Sequence, residues 1–219
     1  YFGEVFLGVN EIIDRNNDFF SYQSKHGEHR YTELLHENNS VAGLIIFAPR
    51  KSDEAELAKL NGKIPFVIVG SSVSSSDFSF VDSDNFNDSR LCVESMIRDG
   101  ARRIMFLSDK IIGRSHELRR NGFLAALKMA GIKHEKNLFI AADPAGRSFS
   151  SRIEKAFHSK NPPDAVFAAS AYAARKMLET SSIAELPFCL AVYDDPNREL
   201  QSYGHQYSHY NTMDLEAGD

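Results

Sequence analysis

A guanidinium at Arg119, carboxylates at Asp84 and Asp194, a hydroxyl at Ser115 and aromatic rings at Tyr1 and Phe2 are the side chains best suited to hold a small molecule. Arginine presents donors in a fixed fork, and an ionised aspartate presents only acceptors. A polyhydroxylated sugar or a nucleobase needs both, and an aromatic face packs flat against either ring. Nothing comparable points to catalysis. Ser71–Ser76 contains no Gly-x-Ser-x-Gly elbow, and the chain has neither a Walker lysine motif nor Gly-x-Gly-x-x-Gly. His26, His29 and His36 lie near one another, but no cysteine joins them and their polar surroundings predict a solvated face rather than a zinc site. The expectation is therefore no catalytic residue, no metal and no cofactor.

Each candidate also has a purely structural role open to it. Asp84 or Asn85 has the right chemistry to cap the helix that follows, and so does Ser115. Arg119 sits beside Arg120 in a charged turn, where exposure is the default. Tyr1 and Phe2 fall at helical spacing, where aromatics usually pack a core. Asp194-Asp195-Pro196 serves as a turn in any protein.

Strand-like runs alternate with helical ones and must position these groups. Phe2, Val5, Phe6, Val9, Ile12 and Ile13 make one apolar helical face over 2–16. A short strand is expected at Asp18–Ser24 and a polar helix from Glu28 to Glu37. The continuous apolar run Val41–Ala48 is the mark of a parallel strand covered on both faces. Ser52 is expected to cap a helix reaching Leu60, with Ile64–Val69 the next strand. Phe80–Val81 then leads to a helix over Asn87–Arg98 closed by Gly100. Strands at Ile104–Leu107, Asn137–Ala141, Ala165–Ala169 and Phe188–Tyr193 alternate with helices at Ser115–Ala130, Ser148–His158 and Tyr172–Thr180. Such alternation predicts an α/β fold of parallel sheets flanked by helices. The 219 residues suffice for one larger domain or two small lobes. Their net charge of −5 carries no basic footprint for nucleic acid. Cys92 and Cys189, each in an apolar run, read as buried reduced thiols of a cytoplasmic protein. No apolar segment approaches the roughly 20 residues that span a bilayer.

The motifs follow one another in a recognisable order. Val41-Ala42-Gly43-Leu44-Ile45, Ile64-Pro65-Phe66-Val67, Val81 with Asp84-Asn85, Gly100-Ala101-Arg102-Arg103-Ile104, Arg119 with Gly122-Phe123, and Tyr193-Asp194-Asp195 resemble the effector-binding core of the lactose-repressor (LacI/GalR) family of transcription regulators. Tyr1-Phe2-Gly3-Glu4-Val5 is similar to the segment opening that family's first helix. The resemblance covers nearly the whole chain. It implies a periplasmic-binding-protein-like fold of two doubly wound parallel-sheet lobes joined by a hinge, here cut at both ends. Residues 1–108 with 207–219 would form one lobe and 109–206 the other, crossing near Leu107–Lys110 and Gln201–Ser208. The cleft between lobes would take an effector, gripped by Arg119, Asp84 and Asp194, with Tyr1, Phe2 and Ser115 also lining it. The family further implies a homodimer and a helix-turn-helix head, upstream of residue 1, that binds operator DNA. Departures fall mostly in the second half. Ser170-Ala171 stands where an Asn-Asp pair is usual, and Lys176 and Val192 where glycines are. The same two-lobed fold serves exported solute-binding proteins of transporters. A third reading takes Asp82 and Asp84 as the acidic strand end of a haloacid-dehalogenase-type phosphatase, although Phe86 fills the place of its threonine.

Overall fold

The computed structural model describes residues 2–16, 31–33, 41–70, 77–108, 114–141, 147–180 and 188–193. The expected strand at 18–24, nearly all of the helix at 28–37, the three histidines and the crossing at 201–208 lie outside these. In order, the elements are α1 (Phe2–Asn16), β1 (Leu44–Phe47), α2 (Glu54–Leu60), β2 (Phe66–Val69), β3 (Phe80–Val81), α3 (Asn85–Arg98) and β4 (Ile104–Ser108). They continue as α4 (Arg114–Met129), β5 (Phe139–Ala141), α5 (Arg147–Phe157), β6 (Ala165–Ala168), α6 (Ala171–Leu178) and β7 (Cys189–Val192). The fold is α/β as expected.

Most differences from the sequence reading lie at element ends, and each has a local cause. The Asp84 side chain accepts from the Asn87 N–H, so α3 starts at Asn85 rather than Asn87. A 3-10 turn at Lys51–Asp53 precedes α2, which makes Asp53 rather than Ser52 the cap residue. Another 3-10 turn takes Lys136–Leu138 and shortens β5. Gly100 does close α3 in a left-handed conformation (φ 108°). Its N–H bonds Ile97 O, and the Ala101 N–H reaches back to Met96 O, which satisfies two of the carbonyls a helix end leaves open.

The described residues cluster into two compact units, drawn from Tyr1–Leu44 with Ser52–Phe66 and from Ile45–Lys51 with Val67–Asp219. Within the first, α2 buries Leu57 and Leu60 completely, and Thr32 donates to Glu56 at 3.0 Å. The second holds a parallel four-stranded sheet in the order β5-β4-β6-β7. A separate sheet has the order β1-β2-β3.

Alternation along the four strands sorts their side chains onto two buried faces. Met105, Leu107, Val166, Ala168, Leu190 and Val192 share one cluster with Phe149 and Ile153 of α5 and Met177 of α6. Phe106, Phe167, Ala191 and Tyr193 share the other with Cys92 and Val93 of α3 and Phe123 of α4. Both faces are covered, so strands such as Ile104–Ser108 are buried throughout and read as continuous apolar runs. Phe106 anchors the second face, stacking on Phe139 at 4.8 Å and meeting Phe123 edge-on at 5.2 Å.

The domain boundary differs from the expected one. β4 pairs with β5 on one side and β6 on the other, and α3 packs on α4. Residues 85–108 therefore belong with the elements that follow them, and the chain does not divide at 108. The stretch 207–219 lies outside the described residues.

Gly122 sets how α3 and α4 meet. A Cβ there would lie 2.2 Å from the Phe86 carbonyl oxygen and 3.1 Å from the Arg90 nitrogen, both backbone atoms that cannot swing away. Glycine in a helix interior ordinarily costs up to about 1 kcal/mol relative to alanine. Here the clash reverses the sign. Gly122→Ala should destabilise the chain by about 1–3 kcal/mol in urea denaturation, with the midpoint moving and the slope unchanged. Ser89, buried on α3, has an Oγ without a hydrogen-bond partner among the described residues. Ser89→Ala should leave stability unchanged or raise it, since it removes an unsatisfied hydroxyl and adds helix propensity.

Candidate functional site

The chain leaves β4 toward β5 on one side and returns to β6 on the other, so connections reverse direction between β4 and β6. In open parallel sheets the crevice beyond the carboxyl ends of the strands at such a reversal is where ligands bind. Ser108, Ala169 and Tyr193 mark those ends, and α4 and α6 start just beyond β4 and β6.

Arg119, in the second turn of α4, comes to this place and is held from three elements. Its Nε donates to Asn85 Oδ1 at 2.7 Å, at the start of α3. Its Nη1 donates to the Ala169 carbonyl at 2.7 Å, just past β6. The guanidinium carbon lies 3.6 Å from the ring centroid of Tyr193, just past β7. A cation over an aromatic face gains electrostatically, more so when water is excluded. Tyr193 is in turn fixed, its hydroxyl donating to Asp88 Oδ2 at 2.9 Å. Burial pushes its phenol above the ordinary value, against the opposing pull of Arg119, so it stays a neutral donor. Asn85 is 1% exposed and donates its Nδ2 to Ser83 O at 2.9 Å, which fixes the amide with its oxygen toward Arg119.

His116 stands one helical turn before Arg119. Its Nε2 is buried and has no hydrogen-bond partner among the described residues. Burial, with the Arg119 charge adding to it, lowers its pKa to about 3. The imidazole is therefore neutral at physiological pH, with one nitrogen a donor and the other an acceptor.

The expected site residues fare unequally. Arg119 is at the sheet end with its fork oriented. Asp84 is exposed at the cap of α3, accepting from the Asn87 N–H at 3.1 Å and Asn87 Nδ2 at 2.6 Å. Those bonds hold its carboxyl below the ordinary value. Its neighbour Asn85, not Asp84, reaches Arg119. Asp82 accepts from the Ser83 N–H at 2.9 Å, so both carboxylates of the phosphatase-like motif bond within their own turn. Ser115 lies half-buried in the first turn of α4, since that helix starts at Arg114. Phe2 starts α1, but its side chain, like Tyr1 and Asp194, lies outside the described residues. Ser170 caps α6 by accepting from the Ala173 N–H at 3.2 Å. Among the described residues no group of three or more His, Cys, Asp or Glu could hold a metal ion. A hollow of about 10 Å³ beside Arg103 and Glu135 lies at the opposite end of β4, with room for one water.

Asp88 and His116 escaped the sequence reading, and Asn85 and Tyr193 entered it only within motifs, not as partners of Arg119. Faint signals existed for two of them. Tyr193 puts a hydroxyl on the last residue of an apolar strand, and His116 shares a helical face with Arg119 at a spacing of three. Nothing local linked Asp88 to Tyr193, 105 positions away.

Residues 93–187 match the model of the periplasmic binding protein-like domain. The chain has the periplasmic-binding-protein-like fold. Its solved structural neighbours include the transcription regulator CcpA of Lactococcus lactis, 17% identical at a TM-score of 0.75, with 99% of this chain and 82% of that one covered. A regulatory protein of the LacI family from Chloroflexus aggregans is 23% identical at 0.70, covering 82% and 68%. A sugar-binding transcriptional regulator of the LacI family from Escherichia coli, complexed with phosphate, is 19% identical at 0.69, covering 89% and 73%. No curated protein matches the chain. The neighbours bear out the resemblance carried by the motifs, and at these identities it is a likeness of fold. No helix of the described residues is long and apolar enough to cross a membrane.

Two measurements check this geometry. Tyr193→Phe removes the donor to Asp88 and should cost about 1 kcal/mol in chemical denaturation, while keeping the ring under Arg119. The second concerns His116, whose folded-state pKa lies below the ordinary value of about 6.5. The unfolded chain then takes up the proton first, so stability is lost as pH falls through about 6.5 toward 5, by at most about 1.4 kcal/mol per pH unit. His116→Gln should flatten that slope, measured as urea midpoints at pH 7, 6 and 5.

Proposed function

We propose that this chain is the effector-sensing core of a DNA-binding transcription regulator. It binds a small molecule, a sugar, beyond the carboxyl ends of the four-stranded sheet. The observation that carries this reading is the anchoring of Arg119 by Asn85, Ala169 O and Tyr193 at the sheet's reversal point. A guanidinium held from three elements is oriented before any ligand arrives, so little freedom is lost on binding. The fold likeness to transcription regulators, one of them named as sugar-binding, supports the same reading. The bonding of Asp82 and Asp84 within their own turn supports a non-enzymatic role.

In this reading Arg119 is joined by Asp194 and Ser115, with Tyr1 and Phe2 packing against the sugar ring, while Asp84 contributes at the entrance to α3. The regulator works in the cytoplasm as a homodimer and meets operator DNA through a helix-turn-helix domain outside this sequence. A ligand that favours one of two conformations shifts their populations by its difference in affinity, and that shift changes operator affinity.

Titration with ribose, glucose, galactose and cellobiose, followed by calorimetry and thermal shift, tests the proposal. One of these neutral sugars should give a saturable rise in Tm, worth about 2.7 kcal/mol of stability at a hundred times its Kd. Arg119→Ala should weaken that binding by about tenfold or more. The same sugar should change operator affinity when the protein carries its DNA-binding domain. Absence of sugar binding across the panel would remove the sensing role as stated here.

A further inference from the structure

Resting on that reading, we propose that His116 contacts the ligand directly, its Nε2 hydrogen-bonding a hydroxyl of a neutral polyol whose other groups meet Arg119. The motif that singles out Arg119 begins at that residue and passes over His116, three positions before it. Three observations bring His116 in. Its Nε2 is shut off from solvent yet has no hydrogen-bond partner among the described residues. Buried polar atoms in folded proteins are nearly always paired, because an unpaired one has given up its hydrogen bonds to water without replacing them. His116 also stands three residues before Arg119 on α4, a spacing that puts both on one helical face. Finally, α4 starts at the carboxyl end of β4, so this face opens the helix at the sheet's reversal point.

The chemistry favours a hydroxyl as the missing partner. Burial and the Arg119 charge keep the imidazole uncharged, and a neutral imidazole nitrogen either accepts one hydrogen bond or donates one. A sugar hydroxyl, which does both, satisfies either tautomer. An anion would instead select the protonated ring, which this environment disfavours. An ordered water is the competing occupant, since a buried water pairs such atoms in many proteins.

The test uses His116→Leu and His116→Gln in the intact chain, each measured without ligand and against the sugar from the panel that binds the native protein. If His116 faces a ligand, His116→Leu should raise the ligand-free Tm, because an unpaired polar atom is replaced by an apolar one. The same variant should weaken the sugar by about tenfold or more, and His116→Gln should recover most of that loss. Inorganic phosphate should give no saturable shift with any form. Undiminished sugar affinity in His116→Leu overturns the proposal while leaving the sensing role intact. A fall in ligand-free Tm with unchanged affinity assigns the position to a bound water and overturns it equally. Saturable phosphate binding that depends on His116 overturns the neutral class of ligand. If the native chain binds no sugar of the panel, the sensing role fails first and this contact with it.

Discussion

The close crossing of α3 on α4 at Gly122 is the constraint on which the candidate site depends. With no Cβ at that position, α4 can lie with Gly122 against the Phe86 carbonyl and the Arg90 amide. One turn earlier on α4, that approach brings Arg119 within 2.7 Å of Asn85. A side chain at 122 would push the helices apart, and protein interiors are too densely packed to absorb the shift locally. The glycine and the arginine therefore act as one device, three residues apart on one helix. Phe123 beside them locks α4 onto the sheet through Phe106, Phe139 and Phe167.

A second constraint is electrostatic. Arg119 is half-buried, and a guanidinium removed from water is costly unless its donors and charge are met. Asn85 and the Ala169 carbonyl meet two donors, and the Tyr193 ring meets the charge from one side. Each comes from a different element, so the arginine also registers α3, β6 and β7 against α4. His116 carries the contrary sign of the same effect. Near the arginine and away from water, its ring keeps no second proton, and its Nε2 stays unpaired.

The sequence reading located these features unevenly, for physical reasons. Apolar runs such as Ile104–Leu107 and Ala165–Ala169 announced buried parallel strands, because both faces of such strands must be apolar. Gly100 announced the end of α3, because a left-handed residue there favours glycine. The lobe boundary was misplaced at 108, because strand pairing links residues far apart, such as Phe106 with Phe139 and Phe167. No local pattern reports which sheet a strand joins. Asp84 illustrates the same limit. Its residue type suits a ligand contact and a helix cap equally, and only the position of Asn87 shows that the cap takes its carboxylate.

By itself, then, the chain's sequence determined what local physics controls: the α/β alternation, the apolar strands, the glycine that ends α3, and the likeness that drew attention to Arg119. The tertiary structure alone decided the partners. That Asn85, Ala169 and Tyr193 converge on Arg119, and that the His116 Nε2 is buried without a partner among the described residues, depends on how distant elements pack. Hydrogen bonds across 34, 50 and 105 residues leave no trace in spacing.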